Sequence, residues 1–260
     1  CLMRDSTLTQ QIKALKLIRG LGSAVFWVGI WQLISIIVAQ ELLVPAPLAV
    51  LKTLWALVKT ADFWKITSIT LLRIIAGFLL GIIAGAAAAV LTSRFKLADS
   101  IISPILRIVR ATPVASFTIL ALLWVREGWL PVFISFLMVV PIVWSNVENG
   151  IRQIDVRLLE MARVYRLGFF KTLVFVKVPS VMPYFLAACS TAMGLSWKSG
   201  IAAEVISGPR LSVGRQLSNA KIYLETPEVF AWTITVVLIS LVLEKLLVLA
   251  ARRFGRRFNA

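Results

Sequence analysis

The sequence predicts an all-α polytopic membrane protein of about six transmembrane helices. Three observations predict it. The chain is 59% hydrophobic and 15% charged, whereas a soluble domain is about 45–50% apolar and about 25% charged. Runs free of charge, several near the roughly 20 residues needed to cross the hydrocarbon core, recur along its 260 residues. Lys and Arg collect in alternate connections. Irregular backbone cannot face lipid, so helices are the only spanning solution for such runs.

The elements follow in order. The first run, 21–40, lies between Arg19 and Glu41. Pro45-Ala46-Pro47 then opens an outer segment, 44–65. In it Val50, Leu54, Leu57 and Val58 recur at helical spacing, as in a helix lying on a membrane surface. A second span is expected over 72–93. It carries Gly77, Gly81, Gly85 and alanines at 86–89. Small residues four apart share one helix face and let another helix approach closely, either as fixed packing or as a gate. A third span is expected over 103–125, then a tight turn at Arg126-Glu127-Gly128 and a fourth span over 129–148. The fifth is expected over 178–204 and the sixth over 229–250. Pro104, Pro113, Pro141 and Pro183 fall inside these spans. Each removes a backbone donor and can kink its helix, and interrupted helices border pathways in many transporters.

With the N-terminus inside, eighteen Lys and Arg fall in inner segments. Eight fall outside: Lys52, Lys59, Lys65, Arg126, Lys198, Arg210, Arg215 and Lys221. That bias puts both tails, 1–20 and 252–260, in the cytoplasm of a multi-pass inner-membrane protein. It also accounts for the net charge of +16 without nucleic acid as a partner. Cys1 and Cys189 form no CxxC and no disulfide framework, and the chain has no histidine. Metal sites and His-dependent catalysis are therefore not expected. Trimming is expected at Cys1, which stands where Met would start a chain. No cleavable leader is expected, since the first long run meets Glu41 without a small-x-small site.

The inner connection, 150–177, is the unusual part. Leu158, Met161, Ala162 and Tyr165 recur at helical spacing, and Glu160 and Arg163 are placed to pair. Such a short amphipathic helix either lies on lipid or presents Leu, Met and Tyr to a cytoplasmic partner. Its sequence resembles the EAA loop of permease subunits in bacterial ABC importers. Glu160, Ala162, Val176, Val178 and Pro179 fall in register with Glu-Ala-Ala, three residues, Gly, nine residues, Ile-x-Leu-Pro. Met161 replaces the first Ala, and Arg166 stands where the Gly belongs, with Gly168 two residues on.

The resemblance extends along most of the chain. Pro45-Ala46-Pro47 is similar to the LPSP segment of nitrate/taurine/sulfonate-type permeases. Arg73 to Phe78 is similar to their R-x-x-x-G-F, and Arg110-Ala111-Thr112-Pro113 to their R-x-I-P. Trp197 with Ala202-Ala203-Glu204 is similar to their A-W-x-x-x-x-A-A-E. It implies a type I ABC importer permease fold and a non-catalytic, channel-forming subunit for a small solute delivered by an extracytoplasmic solute-binding protein. It implies a second permease subunit, with a homodimer expected, and separate ABC ATPase subunits that hold ATP and Mg. Leu158, Glu160, Met161, Ala162, Tyr165, Arg166 and Gly168 would form the ATPase-docking surface. No GxxxxGK[ST] is present, and Gly194 to Ser199 matches one only superficially, so this chain is expected to bind no cofactor.

Ser196, Trp197, Lys198 and Glu204 are candidate pathway residues near the outer mouth. With Arg210, Arg215 and Lys221 beyond them, a basic vestibule would favour an anion such as a sulfonate or oxyanion. Those cations would equally meet lipid headgroups or acidic patches on the binding protein. A secondary transporter is the alternative, but it needs a mid-span carboxylate and none is found. A non-transporting scaffold subunit is the other, and it would have no ATPase partner.

Overall fold

The computed structural model describes residues 22–23 and 25–258, with side chains described as far as 249 and at Arg253. The expected tail 1–20 and the remaining side chains of 252–260 lie outside the described residues. The described residues form helices and no strand: α1 (Val25–Val38), α2 (Pro47–Val58), α3 (Ala61–Arg94), α4 (Lys96–Ala111), α5 (Val114–Ala121), α6 (Leu130–Arg152), α7 (Val156–Val164), α8 (Phe169–Thr172), a π-helical turn (Leu173–Lys177), α9 (Val178–Ser207), α10 (Val213–Ile222) and α11 (Thr226–Phe258).

The core is a sheaf of α3, α6 and α9, with α11 along one side. The glycines of α3 explain how α6 comes so near. A Cβ on Gly81 would stand 2.6 Å from Val139 Cβ, one on Gly85 2.8 Å from Val143 Cβ, and one on Gly77 2.8 Å from Ser135 Cβ. Without side chains there, backbone meets backbone, the contact that drives association where lipid offers apolar groups no reason to cluster. Trp144 Nε1 donates to Thr92 Oγ1 at 3.0 Å, stitching the same two helices further along. Ser135 Oγ donates to the Ser196 carbonyl at 3.2 Å, and Trp197 Nε1 donates to the Val236 carbonyl at 3.0 Å. Those bonds tie α9 to α6 on one side and to α11 on the other. On the outside, α1 stacks Trp31 on Phe230 of α11 at 5.7 Å. The faces turned away from the core carry a lipid-ready band, including Leu72, Leu79, Ile83 and Val90 on α3 and Leu238, Leu241 and Val242 on α11.

Among the described residues, four helices are long and apolar enough to cross a membrane: Ala61–Arg94, Leu130–Arg152, Phe169–Ser207 and Thr226–Leu249. The third expected span, 103–125, is not one straight helix. α4 and α5 meet at 107°, and the pair makes a fifth crossing only as a broken span. Pro113 is the cause. It has no N–H to continue the ladder and pushes Thr112 into extended backbone, at φ −78° and ψ 132°. Pro104, Pro141 and Pro183 sit inside α4, α6 and α9 without ending them. The second span starts earlier than expected, at Ala61, where Thr60 accepts from the Phe63 N–H as N-cap. Of the first expected span, 21–40, the helix Val25–Val38 is described.

Candidate functional site

Two clusters stand out, one at each end of α9. The first is the connection between α6 and α9. Asp155 caps α7, its carboxylate accepting from the Arg157 N–H at 2.8 Å. Ala162 alone on this helix is turned inward, at 2% exposure, and α7 rests on the π-helical turn. Leu158, Glu160, Met161, Tyr165, Arg166 and Gly168 all reach the surface. Met161 is 46% exposed and Tyr165 74%. Val156 and Val164, which the sequence reading did not single out, are also exposed. Glu160 forms no ion pair with Arg163; the ion pairs among the described residues are Arg73–Glu204 and Glu148–Arg152. Both groups are exposed, and holding two long side chains together in water gains little.

The end of α7 explains the position of Arg166. The Leu167 N–H donates to the Ala162 carbonyl at 2.9 Å and the Arg166 N–H to the Arg163 carbonyl at 3.0 Å. These are the two bonds of a Schellman cap, whose C′ residue takes the left-handed conformation. Arg166 occupies it at φ +49°, where a residue with a Cβ costs about 1–2 kcal/mol relative to glycine. Gly168, two residues on, does not substitute for it: it is extended, at φ −62° and ψ 163°, and starts α8.

The second cluster lies at the opposite end of α9. Glu204 is completely buried. Thr70 Oγ1 lies 3.0 and 2.9 Å from its two oxygens, and the Gly214 N–H donates to it at 3.2 Å. The Val213 N–H donates to Thr70 Oγ1 at 3.0 Å. The Arg73 guanidinium stands 3.6 Å from Glu204 and donates to the carbonyls of Leu211 and Arg210 at 3.2 and 3.3 Å. One carboxylate thus fastens α3, α9 and the start of α10. Gly214 permits it, since a Cβ there would collide with Glu204 itself. The chain reaches α10 through Gly208, left-handed at φ +58°, which ends α9.

Of the four residues expected on the pathway, only Lys198 reaches the chain's surface. Glu204 is the centre of the buried knot. Trp197, 1% exposed, is held by α11, and Ser196 is buried beside Ser135, its hydroxyl without a partner. Lys198 shares an open face of α9 with Thr191 and Leu195. Sequence reasoning noted Arg73 and Glu204 in separate motifs; the structure brings them together. Thr70 and Gly214 carried no signal beyond residue type. Among the described residues no group of His, Cys, Asp and Glu is placed to hold a metal ion.

Comparison with known proteins agrees with this arrangement. Residues 77–260 match the model of the family described as binding-protein-dependent transport system inner membrane component. A Bacillus subtilis (strain 168) protein named as an aliphatic sulfonates transport permease is 28% identical over 207 residues, covering 78% of this chain and 74% of its own. A nitrate import permease of Leptolyngbya laminosa is 27% identical over 191 residues, covering 69% and 67%. A solved amino acid ABC transporter, 20% identical, superposes with a TM-score of 0.58 over 72% of this chain and 90% of that one, and so shares the fold. The chain belongs to the binding-protein-dependent transport system inner membrane component family, the channel-forming permeases of ABC importers.

Proposed function

We propose that this permease pairs with a second copy of itself, takes its drive from ATPase subunits docked on α7, and passes a small anion. The observation that carries the reading is α7. It is a capped amphipathic helix anchored through Ala162 and offering Leu158, Met161 and Tyr165 outward between two spans. Such a face fits a groove on a soluble partner. Both termini and α7 lie on the cytoplasmic side of the inner membrane, and the binding protein delivers solute at the other. ATP and Mg are held by the ATPases. Their closure draws the two α7 helices together and turns the cavity between the permeases outward.

Met161→Asp buries a carboxylate in that groove. It is expected to abolish co-purification of the ATPase and solute-dependent ATP hydrolysis while leaving the permease inserted in the membrane at its normal level. Full assembly and coupled hydrolysis in this variant would refute docking on α7.

The anion reading rests on Lys198 and on the relatives named for sulfonates and nitrate. Lys198 sits two residues from Gly200, which packs on Ile74 and Ser135, so it lies inside the apolar zone near its outer edge. An unpaired lysine facing lipid at mid-membrane costs about 2.5–3.5 kcal/mol, less toward the interface. A wet pathway removes that cost. In a background lacking Cys1 and Cys189, Lys198→Cys is expected to react with an impermeant thiol reagent from outside, and anion is expected to slow the reaction. Labelling only from the cytoplasmic side would refute the orientation, and none at all would refute the pathway.

A further inference from the structure

A cavity of about 490 Å³ opens between the inner ends of α3 and α6 and the start of α9, within the roughly 300–1,000 Å³ of small-ligand sites. Its walls are apolar: Val90, Val147, Ile151, Val181, Met182 and Phe185. Its polar lining is Ser93, Arg94 and Lys177, and no carboxylate lines it. Neither cation belongs to an ion pair among the described residues. Arg94 instead lies beside the Phe95 ring, 5.9 Å from its centroid.

The arrangement is graded along the membrane normal. Arg94 closes α3 and Lys177 closes the π-helical turn. Both therefore bound charge-free runs, Arg94 just after 74–93 and Lys177 just before 178–197. Val90 and Val181 lie four residues into those runs and Phe185 eight, about 6 and 12 Å of helix rise. The turn contributes both its first and its last residue, Leu173 and Lys177, to the wall. Two cations at the interface above an apolar slot match a ligand with an anionic head and a hydrocarbon tail. A soluble anion would have no use for the depth, and a neutral lipid none for the charges. A soluble protein does not reach Val181 and Phe185 inside the hydrocarbon zone.

We propose that this cavity holds one anionic phospholipid, its phosphate on Arg94 and Lys177 and an acyl chain between α3, α6 and α9. The site lies against the segment that carries α7, so an occupied slot braces the docking helix from the membrane side. The proposal stands whether or not α7 binds an ATPase.

Native mass spectrometry tests it on the full-length chain with the subunits that co-purify. The protein is delipidated and reloaded with equimolar phosphatidylglycerol and phosphatidylethanolamine. One tightly held phosphatidylglycerol per permease chain is expected. Arg94→Gln with Lys177→Gln, both outside the packed core, should weaken its retention by about 30-fold. Val181→Trp fills the slot with the cations intact and should remove the lipid as well. Equal retention of the two lipids, or unchanged retention in the double glutamine variant, would overturn the proposal. So would inorganic phosphate shielding Lys177 from an amine-reactive label where phosphatidylglycerol does not.

Discussion

Glu204→Ala is expected to destabilise the folded permease by about 2–6 kcal/mol, about 1–3 kcal/mol for each of the two buried donors, Thr70 and Gly214, that lose their acceptor. The carboxylate is completely buried and accepts from Thr70 and Gly214. Its loss leaves those donors and Arg73 facing a vacancy at the meeting of α3, α9 and α10. Leaving such groups unsatisfied costs more than the bonds contribute while intact. Glu204→Gln keeps the shape and one acceptor oxygen, and should lose less than half as much. Unfolding of the detergent-purified chain, followed by heat or denaturant, measures both. An alanine variant as stable as the parent would remove the knot from any account of the fold.

Gly81→Ala is expected to destabilise the chain although helix propensity argues the reverse. In an exposed helix, alanine for glycine gains about 1 kcal/mol. At Gly81 the added Cβ would stand 2.6 and 2.7 Å from Val139 Cβ and Cγ1 and 3.0 Å from the Phe136 carbonyl. Two transmembrane helices would have to part to admit it, and overpacking of that kind costs about 1–3 kcal/mol. Gly81→Leu should prevent α3 from seating on α6 at all. Gly194 supplies the control, for nothing lies within 4 Å of its added Cβ. Gly194→Ala should be neutral or stabilising in the same unfolding assay. If the two alanine variants behave alike, close approach is not what Gly81 provides.

These cases mark what the sequence made legible. The four-residue spacing of Gly77, Gly81 and Gly85 names a face of α3 before any partner is known, because helix periodicity is local. The charge-free runs located α6, α9 and α11 for the same reason. The 107° break between α4 and α5 was not legible. Pro104, Pro113, Pro141 and Pro183 look alike in the sequence, and only Pro113 ends its helix. The knot was not legible either, since Thr70 and Glu204 are 134 residues apart. Polarity inside an apolar run does not say which neighbour it faces, and Ser196, Trp197 and Glu204 are buried within the chain. α9 packs on α6 and α11 at once, so it hides Ser196, Trp197 and Glu204 on its buried faces and leaves Lys198 on an open face with Thr191. The capped end of α7 was half legible: the spacing marked the helix, and the left-handed backbone at Arg166 needed coordinates.

The π-helical turn at Leu173–Lys177 carries a consequence for length. Such a turn holds about one residue more than the α-helical turn it replaces, and each residue of an α-helix advances the chain by about 1.5 Å and 100°. The five residues act as an indexing collar between the membrane-anchored shaft of α9 and the segment that carries α7. Deleting one of them, harmless in most surface loops, would let the collar relax to α geometry. Everything before it would keep nearly the same bearing around the α9 axis, because the collar gives up the one residue it holds in excess. The compass bearing of Met161 and Tyr165 is thus buffered against the loss of one residue in the collar, whereas the same deletion within the α9 shaft would turn it by about 100°.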